Sequence, residues 1–298
     1  MEKHSSATKA LPIALAIHDL SCFGRCALTV IIPTLSAMGV QTVPIPTALL
    51  STHTGGFEGF HFRDLTEDME RIARHLRETK VECDAIYTGF LGSEAQIDTV
   101  SQIIDMFHLR QDGSKIPILV DPVMGDDGSL YSTYTKGMMT GMRHLCRKAD
   151  IITPNLTEAC FLTDTPYSDT RSMTKDEVID YAKTLVQRLS VFEARYTVIT
   201  GLRFGENMVG SFGCDLEKGL NSSFICASEN IARSYPGTGD LFASVLLGEL
   251  LRSNDFEASV RRASEFTRRS IEYTAAFPTN VRDGVAFEAI LHELCKKS

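Results

Sequence analysis

The chain has 298 residues, of which 43% are hydrophobic and 23% charged, the balance of a globular protein rather than a disordered or fibrous one. With 30 Lys+Arg against 38 Asp+Glu the formal charge is −8, which excludes a protein whose main task is holding nucleic acid or an anionic membrane surface. Apolar runs such as residues 11–17 fall well short of the roughly 18 residues a spanning helix needs.

Residues 1–10 are polar and read as a disordered tail, with no apolar core or small-residue cleavage site of a signal peptide. Residues 12–17 read as a strand. Residues 25–38 carry apolar side chains at helical spacing and stop at Gly39. A strand over 40–45, a helix over 65–77, a strand over 85–87 and a helix over 96–107 follow. The alternation continues with strand 116–120, helix 135–146, strand 151–153, helix 175–189 and strand 197–200. Beyond Gly201 the pattern changes to two edge strands, 207–212 and 222–227, in antiparallel arrangement. Helices over 240–251, 256–275 and 285–294 close the chain. This rhythm predicts a three-layer α/β/α fold with a central, mostly parallel sheet. No repeat or linker divides it, so residues 11–298 are expected to form one domain.

The eight cysteines are scattered through a long chain without zinc spacing and are expected to be free thiols. That expectation, with the absent leader, points to the cytoplasm. Arg261, Arg262, Arg268 and Arg269 lie in an acidic chain and read as a solvated or dimer-contacting face, not a nucleic-acid site.

In an open parallel sheet, ligands bind at the carboxyl ends of the strands. The unusual polar residues gather there: His18-Asp19, 51–56, Thr88-Gly89, Asp121-Pro122, 153–155 and Thr200-Gly201. The strongest local motif is Pro236-Gly237-Thr238-Gly239-Asp240 ahead of an apolar helix. Its glycines allow a tight turn and expose N–H groups at a helix N-terminus, a site for an anion or for charge developing on a phosphoryl group. An isolated acid in that position is more often simply favoured by the helix dipole. Neither GxxxxGK[ST] nor a complete GxGxxG is present, which weakens a P-loop NTPase or a simple dehydrogenase. The acidic turn of residues 121–128 suits Mg²⁺ or is a solvated loop. In 153–158, Asn155 or Thr157 caps a helix with Glu158 in its first turn. In 51–56, His53 reads as structural rather than catalytic.

These four motifs, in this order, resemble the ribokinase-like superfamily, specifically its pyridoxal/pyridoxamine (vitamin B6) kinase branch, over nearly the whole chain from about Ile13 to Leu294. The resemblance implies that Asp240 takes the proton of a substrate hydroxymethyl group as its oxygen attacks the γ-phosphate of ATP. It implies that the backbone of Gly237, Thr238 and Gly239 stabilises the moving phosphoryl group. Asp121, Asp126 and Glu158 would hold Mg²⁺ directly or through water. Asp121, Thr153, Glu158 and Thr200 would bind ATP, with room for a monovalent cation. Asp19, Thr54 and Phe90 would contact the substrate ring, and Gly128 and Tyr131 would belong to a flap over ATP. A homodimer is also implied.

Two positions depart from the branch. Asp19 stands where many pyridoxal kinases have serine, and Phe90 where several have tyrosine. An aspartate at that position is similar to the hydroxymethylpyrimidine kinases of thiamine synthesis, which form the alternative reading. An acid there would also suit a cationic vitamer such as pyridoxamine. A non-catalytic vitamin- or nucleotide-binding protein on the same fold is the remaining alternative; the retained Asp240, glycines and acidic motifs disfavour it.

Overall fold

A computed structural model describes residues 11–205, 207–231 and 233–295. The tail expected over residues 1–10 lies outside them. Strand β1 (Ile13–Phe23) is followed by α1 (Leu28–Ala37), β2 (Gln41–Thr52), β3 (Phe62–Asp64), α2 (Thr66–Glu78), β4 (Ala85–Thr88) and α3 (Glu94–Phe107). Next come β5 (Ile118–Val120), β6 (Gly125–Asp126), β7 (Ser129–Leu130), α4 (Lys136–Cys146), β8 (Ile151–Ile152), α5 (Leu156–Leu162) and α6 (Lys175–Leu189). The chain ends with β9 (Tyr196–Arg203), β10 (Met208–Asp215), β11 (Phe224–Glu229), α7 (Thr238–Ser253), α8 (Phe256–Ala275) and a 3₁₀ segment, Phe287–Cys295.

The main sheet runs β11-β10-β9-β8-β5-β4-β1-β2-β3. Its inner strands β2, β1, β4, β5, β8 and β9 are parallel, and β3, β10 and β11 add antiparallel edges. The expected mostly parallel sheet is therefore present. Alternation along β1 sorts the core into two layers. Leu15 and Ile17 pack with Met69, Ile97, Met142 and Val186 of α2, α3, α4 and α6. Ala14 and Ala16 pack with Ile31, Leu246 and Phe266 of α1, α7 and α8. Each large side chain buried this way, such as Ile17 or Phe266, contributes roughly 1.5–3 kcal/mol. Helix α7 packs against α1 and α8 in this layer.

Several elements differ from their expected bounds, each for a physical reason. The helix read from residue 25 starts at Leu28, because Ala27 has φ 48° and ψ −132°, outside any helical conformation. Strand β2 continues through Pro44 and Pro46, which prolines permit only where the strand's free side needs no N–H; β3 pairs only with residues 48–50. Between His18 and Leu20 the β1–β2 register slips by one residue, so β2 carries a bulge. The Thr47 carbonyl there accepts from Gln96 Nε2 (2.9 Å) and Leu65 N (3.0 Å). Residues 285–294 have helical periodicity but form 3₁₀ turns.

All eight cysteines are free. The arginines of α8 are spent on neighbours: Arg261 on Glu257, Arg268 on Glu265 and Glu272, Arg269 on Glu293, and Arg262 on the Glu293 carbonyl. Such surface pairs add little stability and leave that face without a basic field. Among the described residues no helix is long and apolar enough to cross a membrane.

Candidate active site

Chain order changes direction across the sheet at β1, whose neighbours are β2 on one side and β4 on the other. That is where an open α/β sheet leaves a crevice at its carboxyl edge. The polar strand ends singled out in the sequence line it.

Asp240 occupies the first turn of α7, whose N-cap is Gly237 at φ 78°. No other residue fits at Gly237: the conformation is left-handed, and an added Cβ would collide with the Arg25 carbonyl. The close approach sets the loop of residues 24–27 against the helix start. From that loop Ala27 N donates to Asp240 Oδ2 at 2.8 Å. The first-turn N–H groups of Thr238, Gly239 and Asp240 have no intrahelical acceptor, and Gly239 is exposed. Asp240 itself is partly exposed. Desolvation pushes its carboxyl up to about 7, against the pull of the Ala27 N–H; the charge of Asp19 adds to the rise.

Asp121, at the end of β5, is buried. Burial, then the charge of Asp240, raise it to about 8, while the Thr153 hydroxyl lowers it. Its Oδ2 lies 3.7 Å from where a side chain on Gly239 would begin. Glu158, in the first turn of α5, is buried and also raised, by burial and then by Asp121. Its Oε2 accepts from Asn155 N (2.8 Å) and its Oε1 from Met124 N (3.1 Å), while Asn155 Oδ1 accepts from Glu158 N (2.9 Å). This closes a capping box. Asp126 is exposed, its Oδ1 accepting from Asp127 N.

Strands β6 and β7 form a hairpin over this end. Its turn residues Asp127 and Gly128 have φ 46° and 78°, the signs a type I′ turn requires. Three bonds tie the hairpin to the start of α5. Asn155 Nδ2 donates to Gly125 O (2.8 Å), Gly128 N to Thr157 Oγ1 (2.9 Å), and Met124 N to Glu158 as above. Tyr131 follows the hairpin and is 43% exposed. Burial, then the charges of Glu158, Asp126, Asp121 and Asp240, raise its hydroxyl.

On the other side, Asp19 is buried and accepts from Ser21 Oγ at 2.9 Å. Burial raises its carboxyl. His53 spends both ring nitrogens on backbone: Nδ1 accepts from Gly55 N (3.1 Å), so Nε2 carries the proton and donates to Arg282 O (2.6 Å). It is structural, as read from the sequence.

The structure thus gathers Asp19, Asp240, Asp121, Glu158, Asp126 and Tyr131 along one crevice. Thr153 is buried beside Asp121, and Thr200 N bonds Pro154 O. Thr54 sits exposed at its loop tip and Phe90 half-buried past Gly89; no charge coupling or hydrogen bond joins these two to the acids among the described residues. Sequence reading missed Ala27 as a donor, since backbone groups leave no trace in composition; Gly24, at φ 90°, was the one hint of a loop there.

Among the described residues no three His, Cys, Asp or Glu side chains form a metal cluster. The buried acids Asp121 and Glu158, the charge of Asp121 raising Glu158, nevertheless fit a hard cation that keeps most of its water and takes one or two carboxylates.

Comparison with known proteins adds the chemistry of relatives. The family model described as phosphomethylpyrimidine kinase matches residues 26–284. A putative phosphomethylpyrimidine kinase from Bacteroides thetaiotaomicron, solved with pyridoxal, is 38% identical, covers 95% of this chain and 96% of its own, and superposes with a TM-score of 0.85. The pyridoxine/pyridoxal/pyridoxamine kinase of Bordetella avium is 26% identical over 269 residues, 87% of this chain and 84% of that protein. The hydroxymethylpyrimidine/phosphomethylpyrimidine kinase of Bacillus subtilis is 24% identical over 277 residues, 90% of this chain and 93% of that protein.

Proposed function

The chain belongs to the phosphomethylpyrimidine kinase family, and on that premise we propose that it is an ATP-dependent vitamin B6 kinase, phosphorylating the hydroxymethyl group of pyridoxal, pyridoxine or pyridoxamine. The observation that carries this reading is Asp240: a carboxylate raised to about 7, oriented by Ala27 N–H, beside the free N–H groups of a helix start. The pyridoxal in the Bacteroides structure and the name of the Bordetella enzyme support the vitamin as acceptor.

A primary alcohol is a weak nucleophile. As its oxygen bonds to the γ-phosphorus of ATP, Asp240 accepts its proton and ADP leaves with the bridging oxygen. A carboxylate near pKa 7 is a stronger base than an ordinary one, yet ionised in a useful fraction at neutral pH. The N–H groups of Gly237, Thr238 and Gly239 face the charge spread over the equatorial phosphoryl oxygens. Asp19, Thr54 and Phe90 position the ring. Thr153, Thr200 and Asp121 hold the nucleotide, and Gly128 and Tyr131 close over it, keeping water from the γ-phosphate. Asp121 and Glu158, with Asp126 through water, would hold Mg²⁺, which neutralises phosphate charge when bound.

The same reading takes residues 11–298 as one kinase domain in the cytoplasm. It takes the protein as a homodimer, supported by exposed Phe23, Leu49 and Phe62 near the β2–β3 edge.

The hydroxymethylpyrimidine alternative rests on Asp19 and the Bacillus relative. A panel of the three B6 vitamers and hydroxymethylpyrimidine with MgATP, read by mass of the phosphorylated product, decides between them. Turnover of a vitamer is expected; turnover of hydroxymethylpyrimidine alone would overturn the assignment. Binding without turnover would favour the non-catalytic reading.

A further inference from the structure

We propose that Arg282 is a positioning residue for the vitamin ring, clamping the substrate-side loop of residues 53–57 from the far end of the chain. The proposal rests on the vitamin B6 kinase reading.

The loop has little internal support: the Gly55 N–H bond to His53 Nδ1 and the edge contact between the His53 and Phe57 rings. It lies between β2 and β3 and contains Gly55 and Gly56, the latter at φ 80°, with Gly59 at φ 65° just beyond. Glycines at positive φ are selected for freedom and contribute no side chain to packing. Residue 282 adds three holds from the far end of the chain. The Arg282 guanidinium lies 4.6 Å from the centroid of the Phe57 ring, and its Nη1 donates to Gly56 O at 3.3 Å. The Arg282 carbonyl accepts the His53 Nε2 proton at 2.6 Å. Backbone and side chain of one residue therefore hold three positions of a five-residue stretch. Arg282 is itself preset by its turn (Val281–Asp283), where Asn280 Oδ1 accepts from Arg282 N.

The same turn also touches the catalytic side, but by a different route. Asp283 O accepts from Arg25 N at 3.2 Å, and Gly284 packs on Arg25. Arg25 precedes the Ala27 that donates to Asp240. That side is held by backbone, the ring side in part by the Arg282 side chain. Truncating the side chain should therefore loosen the ring pocket and leave the base in place.

In the full chain, Arg282→Ala is expected to raise the KM for pyridoxal about tenfold, the loss of one cation–π contact and one hydrogen bond. The kcat should stay within about threefold, with the KM for ATP and the melting temperature unchanged. Arg282→Lys, which keeps a cation over Phe57, should recover part of the loss. A merely structural role would move the melting temperature and both KM values together, and that result overturns the proposal, as does an unchanged KM for pyridoxal. Hydrogen exchange at Gly55 and Gly56 in the unliganded chain gives an independent reading. Faster exchange in Arg282→Ala is expected, and unaltered exchange overturns the clamp. Should wild type turn over no B6 vitamer, the functional assignment fails while the exchange result still decides the clamp.

Discussion

Helices α5 and α7 each carry an acid at the third position of their first turn, and the two acids end differently. Glu158 follows an Asn155 cap. Its oxygens are taken by two backbone N–H groups, its own N-cap's and Met124's, and it is buried. Asp240 follows a glycine cap that has no side chain, so no capping box forms. Its shorter side chain takes one N–H from a distant loop and stays partly exposed at the crevice. The same local position yields a buried brace in one case and an acid open to the crevice in the other. What decides is the supply of other donors, not the acid's place on its helix.

The sharpest way to break that comparison is to neutralise each acid in turn. Asp240→Asn should cut kcat by roughly 10²–10⁴-fold, the usual range for loss of a general base, with little change in melting temperature. Glu158→Ala should instead lower the melting temperature by several degrees, since a lost cap costs about 1 kcal/mol and leaves Met124 N–H unpaired. Its turnover should fall less than that of Asp240→Asn. If the two variants trade places in a paired assay of rate and melting, the comparison fails.

Asp121 lies between the two acids and tests whether the crevice holds surplus negative charge. Its folded pKa is raised to about 8 and that of Asp240 to about 7, against 3.8 as the unperturbed value. Between about pH 4 and 8 the folded chain therefore binds protons the unfolded chain has lost. The metal-free protein should lose stability as pH rises through that window. Asp121→Asn should flatten the slope and raise the melting temperature at pH 8. A lower melting temperature at that pH would show that the carboxylate is fully compensated by protein groups.

The smallest effect is expected beyond Asp240, at Asp19. With Asp19→Ser, the preference for pyridoxamine over pyridoxal should fall a few-fold, about the 1 kcal/mol typical of one hydrogen bond. Equal ratios of kcat/KM in both proteins would remove vitamer choice from this residue.

Much of the frame was legible because each strand end carries its own chemistry. Gly237-Thr238-Gly239-Asp240, Asp121 and Asn155-x-x-Glu158 needed only spacing to be placed at helix starts or strand ends. The Asp127-Gly128 dipeptide was visible but read as an acidic turn, because two-residue strands leave no alternation to detect. The strained Ala27 was illegible, since alanine is ordinarily a helix former and the loop before it is placed by Arg25 and Cys26 packing on Gly237. Arg282 escaped for another reason: its partners stand more than 220 residues away in the chain.

The bulge in β2 has a consequence for how such a protein tolerates change. From Leu20 onward every residue of β1 faces a β2 residue one step later than before. A single deletion at Thr47 would remove the bulge and leave Leu20 opposite Leu49 and Ser21 opposite Leu50, so the rest of β2 keeps its faces. A deletion elsewhere along the paired stretch would shift the register by one and turn the side chains beyond it over, whereas a substitution changes one contact. What the deletion at the bulge would cost is the Thr47 carbonyl that accepts from Gln96 of α3 and from Leu65 N.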